Sequence, residues 1–294
     1  MAEKLTFIVT DEYNSTKAGR YLRTVARLSA RTLAILKRTE GGLTVNGKLL
    51  RTIDTVYAGD VIEMNLPSEN SETITPVQGE LDILYEDEYI LIVNKPAFMP
   101  VHPTKVHQTD TLANIVSYKY KDIGYDFVFR AVNRLDANTT GAVVIAKDRH
   151  TASLMQSTDI TKHYIAICHG NIREKGTINA PIALRTDSKI VRCVSTYGQC
   201  AITHYDILSE LFDATVLDVV IETGRTHQIR CHMSHIGHPL LGDDLYGGSK
   251  KLINRHALHC KTITFLHPFS NKEVFVDAPV PEDMNTLISK LSVG

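Results

Sequence analysis

A polar turn runs into an apolar strand in Asn133-Arg-Leu-Asp-Ala-Asn-Thr-Thr-Gly-Ala-Val-Val-Ile-Ala-Lys147. This pattern places Asp136 on a loop at the edge of a sheet, with Arg134 beside it in an extended segment. An aspartate in a turn is far more often a hydrogen-bonding turn residue than a catalyst. Its function therefore depends on the segments that fold around it.

Apolar runs on both sides of this stretch predict strands at 81–85, 89–93, 142–146, 164–168, 214–222 and 262–266. Helical patterns are fewer, at about 110–119, 150–157 and 226–236. Strands and helices do not alternate regularly, so a doubly wound parallel sheet is not expected. Residues 81–294 are predicted to form one α+β domain with a mixed, largely antiparallel sheet.

The second informative segment runs from Glu222 to Pro239 and reads as a strand, a turn and a helix capped near Thr226. Arg225 stands at the entrance of this helix. Arg230 lies one turn further, close to the predicted buried side. It therefore needs a partner, because an unpaired buried charge is destabilising. The buried stripe is predicted to be Ile229, Met233 and Ile236.

The same helix also permits a metal hypothesis. His227, Cys231 and His235 step by four residues, and His238 follows three later, so one face could bind zinc. No second Cys/His pair stands at a usual spacing, and no carboxylate ligand is indicated. A structural or RNA-facing histidine row is the preferred interpretation, and no metal is expected.

A third segment, Thr161 to Gly170, alternates as a strand does. Lys162 and Tyr164 fall on one face, and Ile165 and Ile167 on the other. No glycine-rich phosphate-loop motif occurs in the chain, which disfavours a nucleotide cofactor.

The first 67 residues predict a separate small unit. A strand at 5–10 precedes a helix at about 17–27 and a second helix, N-capped by Ser29, that runs to Arg38. Asn46-Gly47 then predicts a hairpin, followed by a strand at 61–66. Residues 68–80 are polar and contain proline and glycine, so they are interpreted as a linker.

Charge is unevenly distributed along the chain, although 32 basic and 33 acidic residues give a net charge of −1. Residues 14–39 contain no acidic residue, and Arg20, Arg23 and Arg27 have the spacing of one helix face. Such a ridge favours contact with phosphates over the alternative of a merely solvated face. The seven basic residues of this stretch are Lys17, Arg20, Arg23, Arg27, Arg31, Lys37 and Arg38.

Composition excludes several classes of protein. With 43% hydrophobic residues and little net charge, the chain is not expected to be disordered. No apolar run is long enough to span a bilayer, and the N-terminus lacks the apolar region of a signal peptide. Five scattered cysteines without a CxxC motif are typical of reduced thiols. A cytoplasmic protein with no membrane partner is expected.

Taken in order, these segments resemble the RluA-type pseudouridine synthases, enzymes that isomerise uridine in ribosomal or transfer RNA. The resemblance covers residues 81–294, and residues 1–67 resemble the RNA-binding module named after the S-four ribosomal protein. The matching motifs are Asn94-Lys-Pro96, His102-Pro103, Asn133 to Lys147, Lys162 with Tyr164, Ala201 with Thr203, Thr223 to Arg230, Gly237 to Asp243, Tyr246-Gly247, Leu258-His259 and His267-Pro268.

The resemblance implies a role for four residues. Asp136 matches the essential aspartate of the family, and Arg230 matches the arginine that pairs with it. Tyr164 matches the tyrosine that stacks on the target base, and Arg134 the arginine that helps to hold the flipped nucleotide. RNA contacts are further expected from Lys162, Arg225 and, in the N-terminal unit, Arg20, Arg23, Arg27, Arg31, Lys37 and Arg38.

Two positions depart from the family pattern. Asn133 stands where the family usually has histidine before Arg-Leu-Asp, and Phe98 stands where glycine is common after Asn-Lys-Pro-Ala. Both flank the matched positions, so they bear on how RNA fits the site.

The expected function is isomerisation of uridine to pseudouridine in structured RNA, with large-subunit ribosomal RNA preferred over transfer RNA. An isomerisation needs no cofactor, and no obligate protein partner is implied. The alternatives are a non-catalytic RNA-binding paralogue of the same fold and the metal-dependent enzyme considered above. The sequence leaves open whether Asp136 attacks C1′ or acts as a base at C2′.

Overall fold

The computed structural model describes residues 3–66, 74–125 and 127–292. Its hydrophobic side chains gather in separate clusters. One cluster is built from residues between Leu5 and Met64, and the largest is built from residues between Ile74 and Ala278. Each part of the chain therefore buries apolar surface within itself, which is the main source of stability for a folded unit.

The N-terminal part folds as a four-stranded sheet against two helices, in the order β1-β6-β3-β4, with β2 paired to β5. At the predicted hairpin, Asn46 and Gly47 both have positive φ, +49° and +77°. The Ser29 side chain accepts a hydrogen bond from the Thr32 amide at 3.0 Å, which confirms the predicted cap. The elements are β1 Glu3–Ile8, β2 Thr16–Lys17, α1 Ala18–Thr24, α2 Ala30–Arg38, β3 Leu43–Val45, β4 Lys48–Leu49, β5 Thr55–Val56 and β6 Val61–Leu66.

The predicted helix at 17–27 is too long. Helix α1 ends at Thr24, and the chain turns back so that the Leu28 amide donates to the Leu22 carbonyl and Leu28 enters the core. Arg27 lies in this turn with a φ of +48°. It therefore does not share a helix face with Arg20 and Arg23, as the spacing had predicted.

The C-terminal part is α+β, as predicted. Its ten-stranded sheet has the order β12-β15-β16-β11-β17-β10-β8-β7, with β18 added to β17 and β9 to β10. Among the strands of the described residues, β10 and β17 pair in parallel and the other pairs are antiparallel. The elements are β7 Ile83–Glu86, β8 Ile90–Lys95, α3 Leu112–Asp122, β9 Arg130–Ala131, β10 Thr140–Ala146, α4 Arg149–Met155, β11 Ile160–His169, β12 Gly176–Asn179, β13 Ile182–Leu184, β14 Arg192–Val194, β15 Ile202–Leu211, β16 Ala214–Ile221, α5 Gln228–His235, β17 Leu258–Leu266, β18 Glu273–Asp277 and α6 Glu282–Ser292.

Strand β10 lies at the centre of the fold. All seven of its residues are buried, between β8 on one side and β17 on the other. A strand buried on both faces reads as a continuous apolar run, which is why this stretch stands out in the sequence. The loop that leads into β10 carries Asp136, so a fully buried strand anchors that residue.

The predicted linker, residues 68–80, lies partly outside the described residues, since 67–73 are not described. Residues 74–80 have no regular structure but are held against α3. The Asn114 side-chain amide donates to the Thr75 carbonyl at 2.7 Å, and the Val77 amide donates to the Asn114 carbonyl at 3.1 Å. The domain boundary near residue 67 remains a prediction.

None of the helices that the described residues form has the length and apolarity needed to cross a lipid bilayer.

Candidate active site

A pocket of about 360 Å³ opens where the β9–β10 loop, strand β11 and the start of α5 meet. This volume is within the range typical of ligand sites, about 300–1,000 Å³. The pocket brings together, from three separate segments of the chain, six side chains that were predicted from the sequence: Arg134, Asp136, Lys162, Tyr164, Arg225 and Arg230.

The loop that carries Asp136 is held by two buried basic side chains, Lys95 and Arg255. Lys95 donates from Nζ to the Ala137 carbonyl at 3.0 Å, and Arg255 donates from Nη1 to the Asn138 carbonyl at 3.2 Å. Burial lowers the pKa of Lys95 to about 7. The Thr139 amide closes the turn by donating to the Asp136 carbonyl at 3.0 Å. These contacts fix the backbone that follows Asp136, and with it the base of the side chain that carries the carboxylate.

Asn133, the first departure from the family pattern, ties the same loop to β10. Its side-chain oxygen accepts from the Val144 amide at 2.7 Å, and its Nδ2 donates to the Ala142 carbonyl at 3.2 Å. Phe98, the second departure, has a φ of +61° and a 63% exposed side chain. Glycine adopts this left-handed conformation with least strain, so Phe98 stands at a backbone position that favours glycine.

Arg230 is the centre of a buried charge network. Only 4% of the residue is exposed, and its guanidinium donates from Nη1 to Asp136 Oδ2 at 2.9 Å. Its Nε and Nη2 donate to the two carboxylate oxygens of Asp243 at 2.7 and 2.8 Å. This planar, two-bonded geometry is the strong form of the arginine–carboxylate pair. The predicted need of Arg230 for partners is thus met twice.

The helix cap predicted near Thr226 lies one residue later in the chain and makes no side-chain cap bond. Helix α5 begins at Gln228, and its N-cap is His227, whose φ is +56°. The Gln228 side chain instead folds back and accepts from Thr223 Oγ1 and the Arg225 amide. Thr226 is left free to accept a hydrogen bond from Arg134 Nη2, which crosses the rim of the pocket.

His227 lies beside Asp136. Its Nε2 is 3.7 Å from Asp136 Oδ2, and its Nδ1 is 3.0 Å from the Tyr246 hydroxyl. In the part of the chain that the structure describes, no group of three or more His, Cys, Asp or Glu is placed to hold a metal ion. Cys231 is buried, and His238 Nδ1 contacts the His169 carbonyl. The side chains whose spacing suggested a zinc site therefore have separate contacts.

Asp136 is held as a carboxylate. Burial raises its pKa, but the positive charges of His227 and Arg230 outweigh burial and leave the pKa below the ordinary value. Burial lowers the pKa of His227, so Arg230 is the permanent cation at pH 7. Arg230 and His227 both face Oδ2, and within the described residues no donor contacts Oδ1. With 26% of the side chain exposed, that oxygen is open to a ligand.

Tyr164 forms one wall of the pocket from strand β11. It is 5% exposed and belongs to the main hydrophobic cluster, so its ring is fixed by packing. Lys162 lies two residues away on the same face, as predicted, with Nζ donating to the Ile160 carbonyl at 2.9 Å. The pocket that contains Asp136 is therefore also lined by an aromatic ring and a lysine side chain.

The rim of the pocket is electrostatically positive. Arg134 and Arg225 are exposed, and they donate hydrogen bonds to the Thr226 hydroxyl and the Cys200 carbonyl. Within the described residues neither forms an ion pair. Unpaired guanidinium groups around a cleft attract a polyanion. The six other basic residues predicted to contact RNA lie in the N-terminal part, and all six are exposed: Arg20, Arg23, Arg27, Arg31, Lys37 and Arg38.

Besides Arg255, three residues of the site were not predicted from the sequence. Asp243 is buried against Arg230, Lys95 supports the Asp136 loop, and Thr226 joins Arg134 across the rim. Asp243 could have been suspected, because a buried arginine with five donors can take more than one carboxylate. The other two depend on contacts across 42 and 92 residues.

Comparison with known proteins identifies the family. Residues 89–235 match the model of the RNA pseudouridylate synthase family. The chain is 38% identical over 267 residues to the uncharacterized RNA pseudouridine synthase YjbO of Bacillus subtilis, an alignment that covers 89% of this chain and 94% of that one. It is also 38% identical to the ribosomal large subunit pseudouridine synthase D of Pseudomonas aeruginosa, covering 86% and 84% of the two chains.

Solved structures agree on the fold. Human RNA pseudouridylate synthase domain containing 4 superposes with a TM-score of 0.58 at 23% identity, over 71% of this chain and 92% of that one. Human RNA pseudouridylate synthase domain containing 1 gives 0.56 at 24% identity, over 73% and 96%. The chain belongs to the RNA pseudouridylate synthase family. The enzymes of this family are isomerases that act on RNA.

Proposed function

We propose that this chain converts uridine to pseudouridine in large-subunit ribosomal RNA, with Asp136 as its catalytic residue. The observation that carries the proposal is the free Oδ1 of a carboxylate kept ionised by Arg230, at the wall of a pocket that also contains Tyr164. The family accounts for the reaction class, and the geometry supports the assignment of roles.

The reaction breaks the bond from N1 of uracil to C1′ of the ribose and forms a bond from C5 to C1′. The proton on C5 is released, and N1 regains a proton. No electron is gained or lost, so the residues of the pocket can perform the reaction by acid–base and nucleophilic steps. Asp136 Oδ1 would attack C1′ or remove a proton from C2′.

The target nucleotide must leave the RNA stack before its glycosidic bond can be reached. In the proposed complex the extruded base lies against the ring of Tyr164, since stacking on aromatic side chains is the usual way to hold a splayed base. Arg134 occupies the rim, where its bond to Thr226 directs the guanidinium across the mouth of the pocket. This position suits contact with the backbone of the extruded nucleotide.

Large-subunit ribosomal RNA is the preferred substrate because relatives in Pseudomonas aeruginosa and Escherichia coli, at 38% and 35% identity, are named ribosomal large subunit pseudouridine synthase D. Transfer RNA is the alternative. Release of tritium from C5-tritiated uridine in each RNA distinguishes the two. Faster release from large-subunit transcripts supports the proposal. Release from transfer RNA alone would make transfer RNA the substrate, and release from neither RNA would contradict the proposed activity.

The N-terminal part is proposed to be an S-four-like RNA-binding domain in a cytoplasmic enzyme. The six exposed arginine and lysine side chains named above and the separate hydrophobic cluster of this part support the assignment. Side chains of this kind contact the phosphates of the RNA backbone, and these contacts do not depend on the RNA sequence.

Deletion of residues 1–67 is predicted to weaken RNA binding while the remaining chain stays folded, because the two hydrophobic clusters share no residue. The slope of log Kd against log salt should become shallower by about 0.7–0.9 for each phosphate that the shortened protein no longer neutralises. Filter binding at several salt concentrations and circular dichroism measure the two effects. An unfolded fragment would contradict the boundary, and an unchanged slope would contradict RNA contact by this part.

A further inference from the structure

A second cleft, of about 340 Å³, adjoins the proposed active site. It lies between the β13–β14 hairpin and the turn that follows β14, and it shares the side chains of Arg225 and Thr226 with the first pocket. A chain of nucleotides whose target base occupies the first pocket would therefore pass over Arg225 into the second. The roles proposed above leave this cleft unused.

Tyr197 lines this cleft from a hydrogen-bonded turn. The Gly198 amide donates to the Ser195 carbonyl at 2.8 Å, and Gln199 and Ile182 exchange two backbone hydrogen bonds of 2.9 Å. A Cβ on Gly198 would lie 2.5 Å from the carbonyl carbon of Ile182, so the turn is pressed directly against β13. Yet Tyr197 itself is 96% exposed. A fixed backbone thus presents an aromatic ring that makes almost no packing contribution to the fold.

Arg192 supplies the second observation. Its Nε is buried and has no hydrogen-bond partner, and within the described residues no carboxylate pairs with Arg192. A buried donor without an acceptor is unfavourable, so such a donor points to an acceptor supplied by a ligand. Arg225 lies in the same cleft without an ion pair, its Nε donating to the Cys200 carbonyl at 3.0 Å.

Two unpaired guanidinium groups beside an exposed aromatic face fit one ligand chemistry best. Phosphate oxygens accept from arginine, and a nucleobase stacks on a tyrosine ring. We propose that the second cleft is a subsite for a nucleotide that flanks the target uridine, with its base on Tyr197 and its phosphate at Arg192 and Arg225. This inference rests on the proposed function, because it takes the first pocket as the place of the target.

The test uses the full-length protein and a C5-tritiated large-subunit ribosomal RNA transcript under single-turnover conditions. Tyr197→Ala should raise the half-saturating protein concentration about tenfold, because the base no longer has a ring to stack on. The rate at saturation should stay within about twofold of wild type, since the reacting atoms are untouched. Tyr197→Phe should behave as wild type. Arg192→Gln should reduce the salt slope of binding by about one.

Phe212→Ala is the matched control, since Phe212 is also exposed, at 66%, on the turn between β15 and β16. Half-saturation and salt slope equal to wild type in both Tyr197→Ala and Arg192→Gln would overturn the subsite. Absence of tritium release from the wild-type protein would instead contradict the proposed function. In that case, filter binding of the same transcript to the same variants still tests the subsite, because it measures RNA binding without requiring the reaction.

Discussion

Asp136→Asn is expected to abolish tritium release from C5-labelled RNA, by at least about a thousandfold, because an amide is neither a nucleophile nor a base. The variant should remain folded and should bind RNA as wild type does. The amide oxygen can still accept from Arg230, and Asp243 still satisfies the rest of the guanidinium. Single-turnover tritium release and filter binding measure the two properties on the same transcript.

Asp218→Asn makes the same chemical change at a second partly buried aspartate, on β16, where the carboxylate contacts His163 at 2.9 Å. This variant should release tritium at the wild-type rate. Near-wild-type release by Asp136→Asn would refute the catalytic role of Asp136. Equal losses of tritium release in both variants would show that the loss does not depend on which aspartate is changed.

Arg230→Met is expected to cause the largest combined loss of activity and stability. Breaking a buried ion pair by removing one partner typically costs about 3–5 kcal/mol, and here Asp243 would be left buried and charged. Asp136 would also lose its permanent cation. Urea unfolding, read on the transition of the C-terminal part, measures the first effect, and tritium release measures the second.

The pH profile separates the two losses. In the wild-type protein the pKa of Asp136 is depressed, so its carboxylate is protonated only as pH falls below the ordinary value. Without Arg230, burial raises that pKa, and the acidic limb of the rate profile should move to higher pH. The double variant Arg230→Met/Asp243→Asn should regain part of the stability but not the activity. A folded Arg230→Met protein with the wild-type rate and pH profile would contradict the role given to Arg230.

Much of the fold could be predicted because the local sequence of its central elements favours the structure that they form. Strand β10 is a continuous apolar run behind a polar turn, and the Ser29 cap and the Asn46-Gly47 hairpin have the residues that their geometry requires. Strand β15 was not predicted, because its polar residues are directed outward and interrupt the pattern. Helix α6 was also missed, although its acidic first turn is a helix signal.

The site residues were predicted from the order of the motifs along the chain. The contacts that hold these residues in place were not predicted. Arg230 lies 94 residues from Asp136, and the sequence indicated only that a buried arginine needs partners. Lys95 and Arg255 donate from their side chains to backbone carbonyls of the Asp136 loop. Because every residue has a backbone carbonyl, the spacing of residue types along the sequence does not indicate such contacts. The shift of the cap from Thr226 to His227 has the same origin, since Gln228 occupies the turn that a capping threonine would have used.

The most direct test is a map of pseudouridines in the large-subunit ribosomal RNA of cells that make this protein. The map is compared with those from cells that lack the protein and from cells that make only the Asp136→Asn variant. We expect at least one pseudouridine to be absent in both altered strains and to return when the wild-type chain is restored. An unchanged map in cells that lack the protein, or full modification by Asp136→Asn, would contradict the central claim.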